Sequence, residues 1–92
     1  MRKAYLLVYS DSLGTREQVK NCINEIGLII HWRYDMPNSF YLISENTAQQ
    51  ISDKIIGKMG WGKRFLITEI TSNKQGILPR ETWDLINKKS RQ

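Results

Sequence analysis

Asp11 is the acid best placed to do chemistry. It follows the apolar run Lys3 to Tyr9, within Tyr9-Ser10-Asp11-Ser12. An acid just past a strand end is open to solvent. Two copies of it, brought together by a dimer, could hold a Mg²⁺ ion as metal-dependent phosphodiesterases require. The same residue also reads as a turn or cap acid, because short polar side chains bond nearby backbone groups. Asp35 carries the same two readings in Asp35-Met36-Pro37-Asn38. The cations point elsewhere. Arg33 could pair with Asp35 or Glu69 across a sheet, or present its guanidinium to phosphate. Lys63 and Arg64 stand beside Trp61, a mixture of charge and aromatic surface that suits nucleic acid. It equally suits a solvated loop in which Trp61 lids a helix end. Lys88 and Lys89, with Arg91, form a small basic tail or a helix-end charge pattern.

Other chemistries lack their residues. Cys22 is the single cysteine, so no intramolecular disulfide forms, and it falls on the apolar side of a predicted helix. With one cysteine and one histidine, His31, a zinc site within one chain is not expected. A Ser-His-Asp triad would have to use His31 in mid-strand, without nucleophile-elbow glycines. Gly57, Gly60 and Gly62 surround a lysine without phosphate-loop spacing.

The elements that must position these groups are legible from local pattern. Lys3 to Tyr9 reads as a strand with Leu6 and Val8 on one face and Tyr5, Leu7 and Tyr9 on the other. Both faces are apolar, which predicts a central strand. Thr15 opens a helix with Gln18 in capping-box position, and Val19, Cys22, Ile23 and Ile26 form its apolar stripe. Gly27 ends it. Leu28 to Ser44 reads as a β-hairpin turning at Pro37-Asn38, the inner pair of the sheet. In its first arm Leu28, Ile30, Trp32 and Tyr34 share one face, and Ile29, His31, Arg33 and Asp35 the other. Asn46 or Thr47 caps a second helix with Gln50 in the matching box position, its buried stripe being Ala48, Ile51, Ile55 and Met59. Gly60 closes it. Arg64 to Ile70 is a further strand. Ile77-Leu78 either makes a short extra strand or packs. Pro79 suits the first turn of a last helix, with Glu81 near its start and lysines near its end. The basic tail from Asn87 to Gln92 is expected to fray.

Ninety-two residues, 40% hydrophobic and 25% charged, make one soluble domain. Residues 1–76 form its core and 77–92 a C-terminal appendage. The order β-α-β-β-α-β predicts an α+β ferredoxin-like plait, a four-stranded antiparallel sheet with two helices on one face and a short C-terminal helix. No apolar run reaches membrane-span length, and the N-terminal apolar segment is too short for a signal peptide. The expected location is the cytoplasm. The net charge of +5 favours an acidic partner, of which nucleic acid is the commonest.

Two helices cover one face of such a sheet, yet every strand is apolar on both. The C-terminal segment, a second copy of the chain or stacked nucleic-acid bases could occupy the other face. The third strand, Ser39-Phe40-Tyr41-Leu42-Ile43-Ser44, lacks the basic-Gly-aromatic signature of RNA-recognition domains, so base stacking on the sheet is not expected. A homodimer is the preferred reading, with Tyr5, Leu7, Tyr9 and Trp83 at its interface.

The apolar first strand ending in Tyr9-Ser10-Asp11, followed by a plait of this size and an extra C-terminal segment, resembles one superfamily. It includes the small CRISPR adaptation protein, the virulence-associated-protein-D ribonucleases and the SinR-like proteins. The resemblance implies a dimer built on the sheet face and action on, or binding to, nucleic acid through an acid after the first strand. Asp11 matches that acid and would be the Mg²⁺ ligand. In those proteins the acid directly follows the tyrosine, whereas Ser10 intervenes here. Their second-strand run is also replaced by His31-Trp32-Arg33-Tyr34. The expected function is therefore non-catalytic binding of DNA, RNA or a nucleoprotein, without a cofactor, through Arg33, Lys63, Arg64, Lys88 and Lys89. A Mg²⁺-dependent nuclease using Asp11 and a protein-interaction or inhibitor module are the alternatives.

Overall fold

A computed structural model describes residues 1–90. The elements are β1 (Lys3–Tyr9), α1 (Arg16–Glu25), β2 (Ile29–Arg33), β3 (Ser39–Ser44), α2 (Ala48–Met59), β4 (Phe65–Ile70) and α3 (Arg80–Lys88). The strands form one antiparallel sheet in the order β2-β3-β1-β4. This is the β-α-β-β-α-β plait with an added C-terminal helix. Two interleaved crossovers place β3 between β1 and β2, and β1 between β3 and β4. The hairpin is therefore not the inner pair. β3 is inner, but β2 lies at one edge, and β1 takes the centre as its two apolar faces require.

Local chemistry sets the helix starts. The Thr15 and Thr47 side chains each accept from the backbone N–H three residues on, and Gln18 and Gln50 accept from the cap N–H in return. Each box satisfies two helix N–H groups that have no intrahelical partner. Asn38, at φ 55°, holds the left-handed position in the β2–β3 turn.

Tyr5, Leu7, Phe40, Leu42, Val19, Ile23, Ile51 and Ile55 form the main core between the sheet and α1 and α2. This overturns the expected interface. Tyr5, Leu7 and Tyr9 are buried beneath the helices, so the face they occupy is closed to a second chain. The opposite face is covered in part by α3. There Leu85 and Ile86, with Leu78 and Trp83 at the margin, pack on Ala4, Tyr41 and Ile43. Ile77 and Leu78 make no strand, and Ile77 is fully exposed. The helix runs on to Lys88 where fraying was expected, and Arg91 lies outside the described residues.

β2 departs from strict alternation. Ile29 pairs with Ser44 and His31 with Ile43, so Ile30 is an extra residue at a bulge. Ile29 and Trp32 consequently both face the helices, and Trp32 donates from Nε1 to Asn24 Oδ1 of α1 at 2.8 Å.

Candidate nucleic-acid interface

At the Tyr9 end of the sheet three connections meet. One is the Ser10–Thr15 loop, another the Met36–Asn38 turn, and the third the Gly60–Arg64 loop that leads into β4. Backbone pairing ties them together. Tyr9 N–H donates to Asn38 C=O at 3.0 Å and Ser10 N–H to Arg64 C=O at 3.1 Å. Asn38 Nδ2 donates to Tyr9 C=O and to Asp11 Oδ1, both at 3.0 Å. The Ser10 and Ser12 hydroxyls lie 2.5 Å apart, and Ser12 Oγ accepts from Arg64 N–H at 3.3 Å. Asp11 thus holds the turn against the end of β1. It is exposed, and among the described residues no group of three or more His, Cys, Asp or Glu side chains could hold a metal ion.

The Gly60–Arg64 loop carries the exposed chemistry. Gly60 (φ 100°) and Gly62 (φ 84°) adopt backbone that L side chains rarely take, and they turn Trp61 outward. Trp61 is 85% exposed. Lys63 and Arg64 are exposed and enter no ion pair among the described residues. Among the described residues Arg64 is bonded through its main chain, to Ser10 and Ser12, and its guanidinium enters no ion pair. Beside the loop a groove of about 390 Å³ runs between α2 and β4, lined among others by Gln49, Ser52, Ile56, Trp61, Lys63 and Phe65. On the opposite edge the Arg16 guanidinium lies 4.3 Å from the centre of the Tyr34 ring, a cation–π contact that sequence spacing did not suggest.

The other predicted cations are elsewhere. Arg33 belongs to the attachment of α3. Its Nε donates to Thr82 Oγ1 at 2.8 Å, and its Nη2 lies 3.8 Å from Glu81 Oε2. Thr82 is fully buried and donates in turn to Asp35 Oδ2 at 2.7 Å. The other carboxylate oxygen accepts from Tyr41 OH at 3.2 Å. Asp35 is therefore a structural acceptor. Lys88 is paired with Asp84 at 3.9 Å, and the Lys89 carbonyl accepts from Arg2 at 3.2 Å, beside the start of β1. That is the far end of the sheet, on the order of 20 Å along β1 from Arg64 at about 3.3 Å per residue. The structure therefore groups Lys63 and Arg64 with Trp61 and Asp11, and separates them from Arg33, Lys88 and Lys89. Trp83 lies at the margin of the α3 contact.

Burial, together with the charge of Asp35 and the hydrogen bond to it, raises the Tyr41 phenol to about 12 from an ordinary 10.0. A group whose folded pKa lies above its unfolded one stabilises the fold fully below the unfolded value and loses that contribution as pH rises through the folded one. The window here is pH 10 to 12. Burial moves Tyr5 and Tyr9 in the same direction. Thermal unfolding followed by circular dichroism is therefore expected to show a midpoint that falls above pH 10. Tyr41→Phe is expected to fall less steeply across that window, and an equal slope in both proteins would remove Tyr41 from the account.

Comparison with known proteins returns no matching family model, no matching curated protein and no matching solved structure.

Proposed function

We propose that the chain binds single-stranded nucleic acid through the Trp61–Arg64 loop without catalysing a reaction on it. The observation that carries this reading is Trp61 itself. It is held almost wholly in water between two positive-φ glycines, with Lys63 and Arg64 following the second glycine and neither of them ion-paired among the described residues. Burying a large apolar side chain stabilises a fold by roughly 1.5–3 kcal/mol, and this position forgoes that gain. An exposed indole instead offers a face on which any base stacks, which contributes about 1–3 kcal/mol per base. Lys63 and Arg64 then meet the flanking phosphates, and the release of condensed counterions drives that contact. The groove between α2 and β4 continues the surface past Phe65.

Fluorescence titration with a short oligonucleotide at low salt tests this. Binding is expected to weaken about 10–100-fold in Trp61→Ala, as loss of one stacked base requires. The log of the association constant is expected to fall linearly with log salt concentration, and Arg64→Ala should reduce that slope by about 0.7. Lys88→Ala, at the other end of the sheet, is the control and should bind as the parent does. Unchanged affinity in Trp61→Ala, or no binding at low salt, would refute the reading.

A further inference from the structure

Among the described residues β4 pairs only with β1, which leaves its other side an open sheet edge. The bond from Ser10 N–H to Arg64 C=O, together with the register that follows it, turns the backbone groups of Arg64, Leu66, Thr68 and Ile70 toward β1. The N–H and C=O groups of Phe65, Ile67 and Glu69 therefore point outward. Soluble proteins usually blunt such an edge with proline, a bulge or a charge in mid-strand. Phe65-Leu66-Ile67-Thr68-Glu69-Ile70 has no proline, no register shift against β1, and its one charge near the end. Leu66 is 61% exposed, and its neighbour across the β1 pairing, Val8, is 43% exposed.

We propose that the β4 edge pairs antiparallel with the β4 edge of a second copy, about a two-fold axis through Leu66, to make one continuous eight-stranded sheet. The sequence is self-complementary in that register. Leu66 faces Leu66 of the partner subunit on the open face, and Arg64 faces Thr68 of the partner subunit. Phe65 faces Ile67 of the partner subunit on the helix side, each using backbone groups that now point to solvent. Lys63 faces Glu69 of the partner subunit. Neither charge is ion-paired among the described residues, and each finds the opposite sign across the axis. Moving the axis to Ile67 would set Phe65 against Glu69 and Arg64 against Ile70, and would forfeit both the charge match and the apolar match. The exposed Leu66 and Val8 of both copies then merge into one apolar stripe. This inference does not rest on nucleic-acid binding.

Light scattering after size exclusion, without nucleic acid, is the test. The parent is expected to be a dimer. Leu66→Lys sets two like charges on the axis at a position already facing water, so it should fold and elute as a monomer. Lys63→Glu should raise the dissociation constant about tenfold, and Lys63→Glu with Glu69→Lys should restore it. Leu66→Cys places two thiols at a non-hydrogen-bonded pair, with Cα atoms about 4.5 Å apart, within disulfide reach. Mild oxidation should crosslink Leu66→Cys but not Thr68→Cys, and the native Cys22 is buried and does not compete. A monomeric parent, a dimer that survives Leu66→Lys, or crosslinking through Thr68→Cys in preference to Leu66→Cys would each overturn the proposal.

Discussion

Phe40→Ala is expected to lower stability by about 3–5 kcal/mol, the range for deleting a buried aromatic ring. The ring is fully buried on the inner strand β3. It stacks with Tyr9 at 6.1 Å between centroids, and meets Trp32 and Tyr34 edge-on at 5.8 and 5.4 Å. Trp32 and Tyr34 in turn lie parallel at 6.2 Å. Truncation therefore opens a cavity lined by three aromatic rings, and it removes pair interactions of about 0.5–1.5 kcal/mol each beyond burial. For a domain whose total stability is about 5–15 kcal/mol, that is a large fraction. Urea unfolding monitored by tryptophan fluorescence gives the value. Phe40→Leu, which keeps most of the volume, should cost clearly less. Equal losses in the two variants would mean that the ring contacts, which both variants remove, carry the whole cost and the filled volume none of it.

Asp35→Ala is expected to cost about 2–4 kcal/mol, from the loss of two hydrogen bonds to a charged acceptor and the stranding of two buried hydroxyls. Its carboxylate is the meeting point of Tyr41 from the sheet and Thr82 from α3. The loss should be local as well as global. Amides of residues 80–88 are expected to exchange faster in the variant, while those of α1 and α2 keep their relative protection. Asp35→Asn keeps an acceptor oxygen and should be intermediate. If exchange in α3 did not change, the helix would be held by Leu85 and Ile86 alone.

Much of the fold was legible because its signals are local. The two capping boxes, the Pro37-Asn38 turn and the helix stripes each lie within a few residues, and they form as the spacing predicts. Asn46 and Thr47 were equal candidates to cap α2, and Thr47 fills the role. What alternation could not decide was which face of β1 meets the helices. Tyr5, Leu7 and Tyr9 are as apolar as Ala4, Leu6 and Val8, and only the docking of α3 distinguishes the two sets. The bulge at Ile30 was silent because every residue from Leu28 to Ile30 is aliphatic, so a slip in phase leaves no mark on the pattern. The Arg33–Thr82–Asp35 chain joins residues far apart in sequence, and no short-range spacing announces it. Of the candidate site, the juxtaposition of Trp61 with Lys63 and Arg64 was visible as adjacency. The exposure of Trp61, and the wide separation of the Lys88-Lys89 pair, needed the structure.

The strand order has a consequence for how the chain reaches its fold. β1 is first in sequence and central in space, so both of its partners come later, as the pairs Ala4–Ile43 and Ala4–Ile70 show. Long-range pairing of this kind pays loop-closure entropy before it gains contacts, and it slows folding relative to helical bundles of similar size. The cover for Ala4, Tyr41 and Ile43 comes from α3, which follows every strand. During synthesis the sheet can therefore assemble with one greasy face still bare. In that interval, before Thr82 meets Asp35, the nascent protein is most open to chaperones and to association with its own kind.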